Sequence, residues 1–317
     1  MIINEKLLGL TLKNNFELIL FINLIIYILI LVALPLVVMG FLALIKPEKI
    51  KSNEKSLIYL YAFSTGMFLM LGAFGFLREG YEMAHNFTHS KYFNQTEMIR
   101  TITVMGIMGI SSLIGFSIVI GGRYLFVKKS KIDPHSKHEE HNHSDHLISF
   151  RDIDNPKAAW LAILMLLSHR IIDGFFIGYT IFKIVAKGNS FSSATLLLVT
   201  FTLHILFEIV IVYFRQIQYG EKIGKAVLYN FLTFLAIVPF IFLGAYTGTF
   251  LGKRFEWILS GILVMGGVIV IFTSIFELVP EFIHIRNKDT KVLYKTLITF
   301  AAAIILTIML LALHRHT

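Results

Sequence analysis

The 317-residue chain contains no cysteine. Disulfide frameworks and thiolate metal centres are therefore excluded, and any metal it binds must be held by nitrogen and oxygen. Charge is scarce as well, at 15% of residues against an apolar share of 56%, whereas a soluble domain is roughly a quarter charged. No HExxH motif is present, which removes the common signature of a zinc hydrolase. The period-two alternation of a membrane barrel is also missing. A cleavable signal peptide is not expected, because the first apolar run begins only after Lys6 and Lys13 and is far longer than a signal core.

What is present is long apolar runs. A membrane span needs about 20 such residues. Eight runs qualify, at 16–45, 57–77, 101–126, 158–184, 191–214, 226–250, 257–282 and 292–313. Backbone groups in lipid must be satisfied within the segment, so the runs are expected to be helices. The chain reads as an all-α integral membrane protein with eight spans. The net charge of +9 points to topology rather than to nucleic acid. Counting those at span ends with the adjoining loop, eighteen of the 29 lysines and arginines fall on the side of the loops after spans one, three, five and seven, and ten on the other side. The basic side is expected to be cytoplasmic, with both termini extracellular.

Two histidine–carboxylate pairs interrupt the apolar pattern. His169 and Asp173 lie in span four, His204 and Glu208 in span five. The i, i+4 spacing puts each pair on one helix face, one turn apart. Ionisable groups at bilayer depth face a partner, a cavity or an ion. Two imidazoles and two carboxylates are a donor set suited to a divalent transition metal. Arg170 sits among them and must pair, since arginine does not shed its proton. Asp173 at i+3 and Glu208 from the next helix are the candidate partners. Two readings stay open: Arg170 fills the place of a second metal, or it marks the chain as something other than a metal carrier. Gly174 and Gly178 form a GxxxG pair beside Asp173, read as a close helix contact.

Further groups flank the spans. Glu79 and Glu82, with His85 and His89, follow span two and form a candidate cation entrance or an ordinary wet loop. Glu277 and Glu281 bracket Pro280 near the end of span seven, with His284 beyond, as a candidate ion pathway or an interfacial cap. Asn230 and Thr233 are the main polar groups of span six. Between spans three and four, VKKSKIDPHSKHEEHNHSDHLISFRDIDNP holds His135, His138, His141, His143 and His146. That composition predicts a disordered loop, with a loose metal-binding or sensing tract as its functional reading.

These motifs, taken in order, resemble the ZIP family of divalent metal transporters. HRIIDGFFIG is similar to the family's HNxxDGxxIG, and HILFE to HExPHE with Glu208 at the later histidine. YNFLTFLAIVPFIFLGAYTG is similar to its NxxS…G helix, SIFELVPE to LVDMLPE, and FSTGMFLMLGAFGFLRE to FxxGxFLxxxFxHLLPE. The resemblance implies a 3+2+3 bundle: an N-terminal three-helix repeat (1–126), a cytoplasmic histidine-rich loop (127–157), a central metal-binding pair (158–214) and a C-terminal, inverted three-helix repeat (215–317). It implies transport of zinc, iron or manganese into the cytoplasm by alternating access, across the plasma membrane. Zinc is the first expectation, and a homodimer is among the assemblies it allows. Carried over by position, His169, His204 and Glu208 match the main metal site, and Asp173 the acid shared with its neighbour. The departures are Arg170 for the family asparagine, Ile205 for a glutamate, Phe207 for a proline, and Arg78 for the span-two proline.

A carrier of this kind is not an enzyme. Two other classes use the same ligands: an integral-membrane metalloenzyme with an open coordination position, and a metal sensor read out through the histidine loop.

Overall fold

The computed structural model describes residues 15–44, 54–130, 156–187, 193–218, 221–251, 255–277 and 290–312. Among them every regular element is helical and no strand occurs. In chain order the helices are α1 (Phe16–Ala43), α2 (Glu54–Met70), a π-helical segment (Leu71–Leu77), α3 (Arg78–Thr88), α4 (Glu97–Ser130), α5 (Pro156–Lys187), α6 (Ser193–Gln218), α7 (Ile223–Leu235), α8 (Ile237–Leu251), α9 (Glu256–Glu277) and α10 (Thr290–Ala312).

Among the described residues six stretches are long and apolar enough to cross a membrane: Phe16–Ala43, Ile58–Thr88, Glu97–Gly122, Ile223–Phe250, Glu256–Ile275 and Thr290–Ala312. Helices α5 and α6 run for 32 and 26 residues, beyond the length that a span needs. The outer helices α1, α4 and α10 expose leucine, isoleucine and phenylalanine along most of their length. Apolar surface of that extent is stable against hydrocarbon, not against water.

Two expectations are revised in detail. The second apolar helix does not stop at residue 77; the stretch long and apolar enough to cross a membrane continues through the π segment and α3 to Thr88. The extension is amphipathic: Gly80, Met83, Ala84 and Phe87 are buried at i, i+3, i+4 and i+7, the stripe that seats a helix on its neighbours. Glu79 and Glu82 are therefore helical residues and not part of a loop. The sixth span is two helices, broken at Ala236. Pro239 has no N–H to give to the carbonyl four residues back, at Leu235, where α7 ends. Sequence positions 135–146, 281 and 284 lie outside the described residues.

The helices pair selectively. Helix α5 lies along α8, α6 along α1, α2 along α10, and α4 along α9. The α5–α8 contact is backbone on backbone. A Cβ on Gly178 would overlap the Ile241 carbonyl, and one on Gly244 the Phe175 carbonyl. The GxxxG beside Asp173 is thus the close helix contact expected of it. Gly267 does the same for α9, where a Cβ would stand 2.8 Å from the Gly72 carbonyl oxygen in the π segment.

Candidate functional site

Close packing of α5, α6 and α7 encloses a polar cluster in an otherwise apolar core. Arg170 stands near the midpoint of α5 and Glu208 just past that of α6. Both are buried, the arginine 2% exposed and the glutamate not at all. Arg170 Nε donates to Glu208 Oε1 at 2.8 Å. Its Nη1 donates to Thr233 Oγ1 at 3.0 Å, and that hydroxyl donates to the Asn230 carbonyl at 2.9 Å. Thr233 lies in the last turn of α7, so the guanidinium stands at the negative end of that short helix. The proline break and the buried cation are placed together.

Asp173 is fully buried one turn from His169 on α5. Asp173 is thus a second buried carboxylate, on α5 and three residues from Arg170. His169 and His204 sit on the same two helices, at i−4 from Asp173 and Glu208. Their side chains, like that of Glu277, lie outside the described set. Among the described residues no three His, Asp or Glu side chains close on one point.

The structure pairs Arg170 with Glu208, one of the two partners that the sequence offered. Oε1 of Glu208 is occupied by that pair. A positive charge so close to a candidate ligand disfavours a second cation at the same place.

The polar cluster continues along α6 and α7. Asn230 Nδ2 donates to Gln216 Oε1 at 3.4 Å, and both residues are buried. Gln216 was not foreseen from sequence, although it follows Glu208 at i+8 and so belongs to the same broad helical stripe. Three residues before it in the chain, the α6 end is tied to the α1 end: Tyr213 Oη donates to the Leu42 carbonyl at 2.9 Å.

The opposite end of α5 carries a second charged group. Lys183 Nζ meets Glu79 Oε1 at 3.0 Å and lies 4.9 Å from the Tyr179 ring centroid. Glu82 is held by Arg78 at 2.8 Å. Both candidate entrance carboxylates are thus matched by cations of the protein itself. The partner Lys183 was not picked out from sequence, because 104 residues separate it from Glu79. Beyond them the His85 and His89 rings stack with centroids 4.1 Å apart, and His89 Nε2 lies 3.8 Å from Glu97 Oε2.

The sequence matches no protein-family model and no curated protein.

Proposed function

We propose that the chain transports a divalent metal ion, zinc in the first instance and iron or manganese as alternatives, through the buried cluster on α5 and α6. The observation that carries this reading is the complete burial of Asp173 and Glu208 on two adjoining helices, each one turn from a histidine. Carboxylate oxygen and neutral imidazole suit such ions without the tightness of a thiolate site. A carrier must release its cargo, so moderate affinity is an advantage. Arg170 supplies the charge of an absent second ion, which makes this a one-ion site.

The helix pairing supports a 3+2+3 bundle of eight spans. Exchanging α5 with α6, α1 with the α7–α8 span, and α2 and α4 with α9 and α10 maps the observed pairs onto one another. The first and sixth spans also share a proline followed five residues later by glycine, Pro35 to Gly40 and Pro239 to Gly244. Such halves, with a broken helix beside the site, are an architecture of alternating access. In this reading the termini face outward and the loop with His135, His138, His141, His143 and His146 is cytoplasmic. The carrier resides in the plasma membrane, and the protein is not an enzyme.

The test is flux. Purified protein in sealed liposomes takes up zinc, manganese or cadmium, and His169→Ala or Glu208→Ala abolishes the uptake. Deleting residues 134–147 leaves most of the flux. Loss of all function on that deletion, with ion movement absent throughout, would instead favour a sensor. Metal-activated turnover without ion movement would favour a metalloenzyme.

A further inference from the structure

Three buried side chains, from the central cluster toward the end of α6, hold polar atoms that no described residue satisfies. Nη2 of Arg170, Oδ1 of Asn230 and Nε2 of Gln216 have no hydrogen-bond partner among the described residues. Asn230 is fully buried and Gln216 is 1% exposed. The 3.4 Å contact between the two amides leaves each with unmet capacity whichever way its oxygen and nitrogen are assigned. Apolar burial of such groups is costly, and water is what usually meets them in a protein interior.

These residues are in register. Eight residues of α6 separate Glu208 from Gln216, about 12 Å of helix. Half the hydrocarbon core is about 15 Å. Gln216 lies two residues before the α6 terminus at Gln218, the end tied to the α1 terminus through Tyr213 and Leu42. Facing it, α7 presents Thr233, Asn230 and the small Ala226, the last also fully buried. Leu228 and Leu232, on the other side of α7, are 51% and 52% exposed. The helix is polar where it meets α5 and α6, and apolar where it faces outward.

We infer that Thr233, Asn230 and Gln216 line a hydrated lane from Arg170 and Glu208 to the face holding the α6 C-terminus, and that a hydrated divalent cation passes along it. The lane rests on the transport reading for its cargo but not for its water. Amide and hydroxyl oxygens give a partly hydrated cation successive weak ligands, which hold it without trapping it. Arg170 stands at the inner mouth, where its charge favours release away from the cluster.

The missing cysteines make the test clean, since any thiol introduced is the only one. Asn230→Cys, Gln216→Cys and Thr233→Cys are reconstituted in sealed vesicles and exposed to a charged, impermeant maleimide on either side. Leu228→Cys and Leu232→Cys are the lipid-facing controls. The lane predicts reaction from the α6 C-terminal face, more than about tenfold faster than the controls, since each pKa unit by which hydrocarbon raises a thiol removes a factor of ten in thiolate. Equal rates at lane and control positions would overturn it. If Asn230→Cys does not fold, Thr233→Cys, close to threonine in volume, decides together with Gln216→Cys. A second arm tests the cargo. Asn230→Leu, an apolar residue of similar size, lowers zinc flux by about tenfold or more by dewetting the lane. Unchanged flux in a transporting protein would overturn the route. Lane labelling with no flux in the unaltered protein would leave the lane and remove the transport reading instead.

Discussion

Arg170 on α5 and Glu208 on α6 form a fully enclosed ion pair of 2.8 Å, halfway along both helices. A pair at this depth is not explained by stability alone, because desolvating two charges offsets most of their attraction. It fixes two things. The guanidinium is held against α7 through Thr233, and one oxygen of Glu208 is engaged by it.

Breaking the pair on one side is therefore expected to be worse than removing it whole. Arg170→Met leaves Glu208 without its nearest cation, at a cost of about 3–5 kcal/mol. The double change Arg170→Met with Glu208→Met recovers most of that loss. Thermal unfolding of the three variants in one detergent measures it. Equal losses in the single and double variants would contradict the coupling.

Arg170→Asn tests whether the arginine replaces an ion. With its charge gone, the variant is expected to bind metal toward two ions per chain, against the one proposed for the unaltered protein. Saturating metal then stabilises the variant more than the parent, by about 2.7 kcal/mol for each further site held at a hundred times its dissociation constant. Elemental analysis of the purified proteins gives the stoichiometry, and no increase contradicts the replacement.

The α5–α8 contact sets a geometric limit. Gly178→Ala and Gly244→Ala each place a methyl group against a carbonyl of the facing helix, so each is expected to destabilise by about 1–3 kcal/mol. Gly106→Ala and Gly109→Ala on α4 meet nothing within 4 Å and are expected to be neutral. The same unfolding assay separates the two sets.

Lys183 neutralises Glu79 at the far end of α5. Lys183→Gln restores a negative charge there, and uptake at low metal concentration is expected to rise. The gain fades as added salt shortens the Debye length to about 3 Å at 1 M. Initial rates at two ionic strengths report it. A gain that persists in high salt would mean that the lysine acts by packing.

Much of this arrangement was legible in the sequence. The helical class followed from run length, and the cost of charge in lipid singled out Asp173 and Glu208, which the structure buries. The pairing of Arg170 with Glu208 was one of two options that spacing allowed. That Glu208 reaches Arg170 depends on how α5 and α6 pack, which spacing along the chain does not give. The break at Ala236 was less visible, since Pro239 lies in a run as apolar as its neighbours and proline is tolerated in spans. Gln216 and Lys183 were missed because their partners, Asn230 and Glu79, are remote in sequence and each looks ordinary near a helix end. The continuation of the second span to Thr88 was obscured by charge in REGYEMAHNFT, a composition typical of loops that here coats one helical face.

The most direct measurement is the metal content of the purified protein beside that of His204→Ala, taken after both are equilibrated with the same zinc concentration. The account predicts one zinc per chain in the parent and close to none in the variant, with flux lost in parallel. Equal zinc in both proteins, or none in either, would contradict it.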